Sequence, residues 1–162
     1  MSEEIEFLDY IYQNAKMGQE SIGRLLKTRN KKDEIEDVAK EQLNDYKKIA
    51  NSAKAMIERR KKKVKELDVI SKVATYMSVK MNLAKDDGPK EVANMLIKGS
   101  NMGITQIKKH LEEYKLKNKN VINLANRLLT IEEKNIENLK KFVTIHSQIN
   151  KKRSCNINVS KI

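Results

Sequence analysis

The sequence predicts an all-α protein with one domain. Of its 162 residues, 35% are charged and 4% are aromatic, and the chain holds one proline and five glycines. Strands favour alternating β-branched and aromatic residues, whereas the apolar residues here recur at spacings of three and four. A chain of this length can bury the core of a single domain. We therefore predict an up-down four-helix bundle.

The first half of the chain predicts two long helices joined by a short polar link. The first helix covers residues 3–26, with Ser2 as its N-cap. The link ends at Asp33, which forms a capping box with Glu36 and starts the second helix. That helix runs into a basic block at residues 59–63.

The second half predicts another pair of long helices after a long connection. The connection carries a short helical segment at residues 67–83, and Gly88-Pro89 restarts a helix because proline is favoured at the first helical position. Long helices follow at residues 89–116 and 121–146. Tight turns make neighbouring helices antiparallel, so the long connection must carry the chain across the bundle.

The ends of the chain, its cysteine content and its apolar runs together predict the cellular location of the protein. We assign residues 1–149 to the helical domain and residues 150–162 to a basic, flexible tail. The single cysteine, Cys155, excludes an internal disulfide, and the acidic start is unlike a signal peptide. No apolar run is long enough to cross a bilayer. We expect a cytoplasmic protein without a membrane span.

Helix order and two Met-Gly stretches, YIYQNAKMGQESIGRLL and MLIKGSNMGITQIKKHLEEY, give the chain a resemblance to a known superfamily. Residues 3–146 resemble the ferritin-like four-helix bundles, in particular uncharacterised bacterial members. The resemblance implies a ferritin-like topology. It also implies a di-iron site with one Glu and one Glu-x-x-His from each helix pair.

The ligand set that this resemblance implies is incomplete in both pairs. Where the two Glu-x-x-His motifs are wanted, the sequence has Gln42-x-x-Asp45, or one step round Glu41-x-x-Asn44, and Glu132-x-x-Asn135. Because iron and zinc bind amides poorly, we expect no bound metal and no cofactor. If iron or manganese does bind, its ligands would be Glu20, Glu41, Asp45 and Glu132.

Polar residues also interrupt the apolar face of each predicted long helix. Amides donate and accept together, so they can satisfy one another and a carboxylate inside a bundle without a cation. This predicts a hydrogen-bonded layer in place of the metal site, which would help to fix helix register. The alternative is that several of these residues are half exposed. The predicted members are Gln19, Gln42, Asp45, Gln106, Glu132 and Asn135.

Small and flexible residues mark the predicted third helix. Gly99 and Gly103 lie on successive turns, which predicts close helix packing or, alternatively, room for a ligand. Met95 and Met102 share their stripe and are interpreted as core residues. Near the end of the same helix, His110 is interpreted as a partly exposed helix-end residue and not as a metal ligand.

The formal net charge is +12, which makes an anionic partner plausible. The candidate patch is the basic block Arg59, Arg60, Lys61, Lys62 and Lys63. The alternative is a solvated helix end favoured by the helix dipole. Because the block contains no aromatic residue, we expect only weak, non-specific binding of nucleic acid.

Three functions fit the sequence. No Ser-His-Asp, Cys-His, phosphate-loop or CxxC arrangement supports a hydrolase, kinase or redox enzyme. The interpretation we prefer is a non-enzymatic bundle with a structural or protein-interaction role, with a homodimer as one form. The alternatives are a ferritin-like iron or manganese oxidase or store, and a binder of nucleic acid or anionic surfaces.

Overall fold

The structure, a computed structural model, describes residues 2–29, 32–64, 88–115 and 118–159, with side chains described up to residue 144. Within these ranges the chain is helical and has no strand, which confirms the all-α prediction. The short helix predicted at residues 67–83 lies outside the described residues. The four described helices are α1 (Glu3–Thr28), α2 (Glu34–Arg59), α3 (Pro89–Glu113) and α4 (Lys119–Val159).

Three helices begin where the sequence predicts. The Ser2 side chain accepts a hydrogen bond from the Ile5 N–H at 3.4 Å at the start of α1. At the start of α2, the Asp33 carboxylate accepts one from the Glu36 N–H at 3.2 Å. Pro89 occupies the first position of α3. These caps satisfy backbone donors that a helix start leaves unpaired.

A partly buried ion pair joins the residues on either side of the link between α1 and α2. Arg29, the residue after α1, places two guanidinium nitrogens 2.7 and 2.6 Å from the two carboxylate oxygens of Asp33. The Arg29 side chain is buried, and a two-point contact of this kind also fixes orientation. Asp33 therefore both caps α2 and holds the turn.

Contacts at one end of the bundle give the direction of α1. Arg60, after the end of α2, forms an ion pair with Glu4 near the start of α1. The Lys115 N–H, after the end of α3, donates to the Glu3 carboxylate. Consequently α1 runs antiparallel to both α2 and α3.

Contacts along α2 and α4 complete the arrangement. Glu41 pairs with Lys134 at 2.7 Å, and Glu34 pairs with Lys141 farther along, so these two helices are antiparallel. Helices α2 and α3 therefore run in the same direction, as one long connection between two helical hairpins requires. The hairpins α1–α2 and α3–α4 pack on each other mainly through α2 and α4. The finer ferritin-like assignment stays a prediction.

Aromatic rings fill the core at the end of the bundle where α1 starts and α3 ends. The His110 ring lies 3.8 Å from the Tyr10 ring and 5.9 Å from the Phe7 ring, measured between centroids. Burial in this cluster lowers the pKa of His110. His110 is half-buried in the last turn of α3, which confirms its prediction as a partly exposed helix-end residue.

The end of α4 differs from the sequence prediction. The helix continues to Val159, so the predicted end at residue 146 is wrong, and residues 150–159 of the predicted tail are helical. The apolar periodicity fades there, but no glycine or proline interrupts the backbone, so nothing in the sequence stops the helix. The division of the chain at residue 149 into domain and tail stays a prediction. None of the described helices is both long and apolar enough to cross a membrane.

Candidate functional site

A buried carboxylate lies halfway along the bundle. Glu132 of α4 is 2% exposed, and its Oε2 atom accepts a hydrogen bond of 2.6 Å from the hydroxyl of Tyr46 on α2. Tyr46 is itself buried. An ionised or hydrogen-bonding group in the core is tolerated only when it has partners, and this bond joins the two helices that hold the hairpins together.

Two further side chains extend this contact into a cluster. The Ser100 side chain on α3 is hydrogen-bonded to both Tyr46 and Glu132. The Asn135 side-chain amide, one turn after Glu132, lies 3.5 Å from the Tyr46 hydroxyl, which makes it the weakest of these contacts. We call Tyr46, Ser100, Glu132 and Asn135 the polar layer.

Two glycines make room for the polar layer. A Cβ atom on Gly18 of α1 would lie 2.7 Å from carbons of the Tyr46 ring. A Cβ atom on Gly103 of α3 would lie 2.6 Å from the Glu132 Oε1 atom. Both distances are far below ordinary contact, so the backbones of α1 and α3 approach the layer only because these residues lack a side chain. All four described helices thus meet at this level.

The surroundings of Glu132 change its proton affinity. Burial raises its pKa from 4.5 to about 7, and hydrogen bonds from Tyr46 and Ser100 oppose part of that shift. Burial, together with the neighbouring Glu132 charge, raises the pKa of Tyr46 well above its ordinary value. Near neutral pH, Glu132 therefore titrates between its protonated and its ionised form. The Tyr46 hydroxyl stays protonated and donates its hydrogen bond.

Three of the six residues predicted for the layer lie in the core. Gln42, Glu132 and Asn135 are buried, and the last two belong to the polar layer. The Gln42 Nε2 atom has no hydrogen-bond partner among the described residues, so Gln42 is buried without joining it. For these three residues, spacing along the helix predicted the correct face.

The other predicted members lie outside the layer. Gln19 and Asp45 are half-buried, and Asp45 pairs with Lys48 at 3.4 Å on the surface. Gln106 is exposed because the buried face of α3 runs through Ser100, Gly103 and Ile107. Gln106 is therefore outside the core, and Gln19 and Asp45 match the alternative that several of these residues are half exposed.

The orientation of α3 also affects the predictions for other residues on this helix. A Cβ atom on Gly99 would have no neighbour within 4 Å, so Gly99 is not a packing residue, whereas Gly103 is. Met102 is 52% exposed and is not a core residue. Gly103 therefore lies on the buried face of α3 as predicted, whereas Gly99 and Met102 lie outside that face.

Tyr46 and Ser100 were not predicted as layer members. Tyr46 follows Gln42 by four residues and precedes Ile49 by three, so the helical spacing alone places it on the buried face of α2. Ser100 lies one turn before Gly103. Their partnership with Glu132 depends on how the helices pack, which no spacing within one helix reveals.

The alternative metal ligands are not brought together. The described residues contain no group of three or more His, Cys, Asp or Glu side chains that could hold a metal ion. Glu20 pairs with Lys16 at 3.8 Å and Glu41 with Lys134 at 2.7 Å, each on the surface, while Glu132 is in the core. The expectation that no metal binds stays a prediction.

The predicted basic patch does not form one helical face. Helix α2 ends at Arg59, and Lys61 adopts a φ of 55°, so the chain turns there. Arg60 is half-buried and paired with Glu4, whereas the remaining residues, Arg59, Lys61, Lys62 and Lys63, are exposed.

Comparison with protein families, curated proteins and solved structures finds no match to this chain.

Alanine substitutions at the glycines test the close approach at the polar layer. We expect Gly18→Ala and Gly103→Ala each to lower the free energy of unfolding by about 1–3 kcal/mol, because the added methyl group displaces a buried partner. Gly23→Ala is the matched control on α1. It has open space around it, so we expect a gain of roughly 0.5–1 kcal/mol from helix propensity. Urea titration measures all three. Equal effects at Gly18 and Gly23 would contradict the packing.

The raised pKa of Glu132 predicts a pH-dependent stability. Between pH 4.5 and 7 the unfolded chain releases this proton first, so the folded state binds more protons and stability falls as pH rises. We expect this group to contribute a loss of about 3 kcal/mol at most. Glu132→Gln removes that contribution, and Glu133→Gln, an exposed neighbour, serves as control. Urea titrations at several pH values measure it. Parallel pH profiles for wild type and Glu132→Gln would contradict the burial of this carboxyl group.

Proposed function

We propose that this chain is a non-enzymatic helical bundle of the ferritin-like kind, with a protein-interaction role and with the polar layer in place of a metal site. The supporting observation is the position of Glu132. This carboxyl group is 2% exposed and its hydrogen bonds go to Tyr46 and Ser100, so it serves the core and not a substrate.

The layer suits a role in fixing helix register. Sliding α4 by one turn so that Leu128 lay opposite Tyr46 would put an apolar side chain there and separate the buried hydroxyl from the Glu132 carboxyl group. Each buried group left unpaired costs about 1–3 kcal/mol. A buried polar layer therefore selects one alignment of the helices more strongly than an apolar core, in which many alignments bury similar area.

The metal content of the protein tests this proposal against the iron or manganese alternative. We expect no stoichiometric iron, manganese or zinc in protein purified without a metal-binding tag and then incubated with ferrous or manganous ion, because the acidic side chains of the described residues do not converge. Elemental analysis measures it. About two irons per chain, lost in Glu132→Ala but retained in the exposed control Glu133→Ala, would favour the ferritin-like oxidase or store instead.

The surface we propose for protein interaction is the outer face of α3. Between Val92 and Ile107 the only charged residue is Lys98, in a chain of which 35% is charged. Gly99 leaves open space on this face, and Met102 beside it is 52% exposed. A shallow groove of about 420 Å³ runs along the same face.

The partner we propose for this face is a second copy of the chain. Two copies that each carry a formal charge of +12 repel each other, so they associate most readily through their least charged surface. In a two-fold contact, Met102 of one copy can fill the space above Gly99 of the other, and the reverse.

The location we propose is the cytoplasm, since a chain with one cysteine has no internal disulfide to maintain.

Light scattering after size exclusion tests the dimer. We expect twice the monomer mass at about 100 µM wild-type protein, and a monomer for Met102→Glu, because the buried carboxylate would lack a partner. Met17→Glu is the control, since Met17 is the other exposed large hydrophobic side chain of the described residues, at 40% exposure on α1. A monomeric wild type, or equal effects of both variants, would contradict this interface.

A further inference from the structure

A polar groove lies between the second half of α2 and the first turns of α4. Its volume is about 640 Å³. Its lining includes arginine and asparagine side chains from both helices and no acidic residue among the described residues. Its polar lining residues include Asn51, Arg59, Arg60, Asn120, Asn123 and Arg127.

The two helices present these residues at matching spacings. On α4, Asn120, Asn123 and Arg127 are separated by three and four positions, so they form one ridge along the helix. On α2, Asn51 and Arg59 stand at the two ends of the facing ridge. Because each wall is a helix, the backbone sets the spacing of these residues along the groove.

Among the residues that the structure describes, two arginines supply the exposed positive charge in the groove. Arg60 is held by Glu4, whereas Arg59 and Arg127 are exposed. The antiparallel register that pairs Glu41 with Lys134 sets Arg127 near the Asn51 end, while Arg59 stands at the other end. Eight helical residues separate these ends, which corresponds to about 12 Å.

We propose that this groove binds the phosphate backbone of a nucleic acid strand. Arginine forks match phosphate oxygens in a two-point contact, and the asparagine amides between them can donate to phosphate or sugar oxygens. Arg59 and Arg127 lie at opposite ends of the groove, so the two side chains can contact different phosphates of the same strand. Lys61, Lys62 and Lys63 follow Arg59 and extend the positive field beyond that end of the groove.

The shape and chemistry of the groove favour a strand over other anionic partners. A membrane surface is flat, and proteins that lie on it insert apolar side chains beside their cations. The exposed large hydrophobic side chains of the described residues, Met17 and Met102, do not line this groove. An acidic protein segment would bring carboxylates, but the row of amides between two arginines suits closely spaced phosphates with polar sugars better.

Fluorescence anisotropy with a labelled single-stranded RNA of mixed sequence, about 20 nucleotides long, tests the groove. We expect Arg59→Gln/Arg127→Gln to raise the dissociation constant about tenfold at low salt. The slope of log K against log salt should become shallower by about 1.4, because two phosphate contacts are lost. Both side chains are exposed, so circular dichroism should show an unchanged fold.

The matched control is Lys40→Gln/Lys140→Gln, which removes the same charge from the other end of the same two helices. We expect its dissociation constant to change less than about twofold, since distant surface charges are screened. Equal losses in both double variants would overturn the proposal, because total charge and not the groove would then explain binding. Absence of RNA binding by the wild type would overturn it too. The proposal would also be overturned if the groove bound only anionic phospholipid vesicles or an acidic peptide.

Discussion

The hydrogen bond between Tyr46 and Glu132 is the contact on which the described arrangement depends. It lies in the core, joins α2 to α4, and draws Ser100 of α3 into the same cluster. A carboxyl group with so little access to water is tolerated in the core only when it has such hydrogen-bond partners. The helices must therefore align so that the hydroxyl and the carboxyl meet, and this requirement sets their relative heights along the bundle.

Two glycines make room for that contact. The tyrosine ring and the glutamate side chain fit between the helices because Gly18 and Gly103 carry no side chain. The surface contributes less to alignment. Pairs between helices such as Lys134–Glu41 and Lys108–Glu133 are exposed to solvent, and exposed ion pairs are worth about 1 kcal/mol or less. Alignment therefore rests on the interior, which leaves the outer faces free to carry binding surfaces.

The outer faces of the bundle differ in charge and in residue composition. The outer side of α3 is nearly uncharged over sixteen residues, from Val92 to Ile107, whereas the groove between α2 and α4 gathers arginine and asparagine. The two proposals for them are independent, because one needs apolar contact between copies and the other needs phosphate. Both surfaces lie on helices that the polar layer holds in place, so the fold sets the spacing of their residues before a partner binds.

The sequence by itself determined the all-α class, the starts of α1, α2 and α3, and the burial of Glu132 and Asn135. These features depend on local chemistry: caps satisfy backbone donors within one turn, and a face follows from spacing along one helix. Only the tertiary structure decided which polar residues meet. On α3, Gly103 lies inward as its spacing predicts, but Gly99, Met102 and Gln106 lie outward and Ser100 lies inward. A helix with mixed polar and small residues has no sharp apolar face, so packing against Tyr46 and Glu132 selects its orientation.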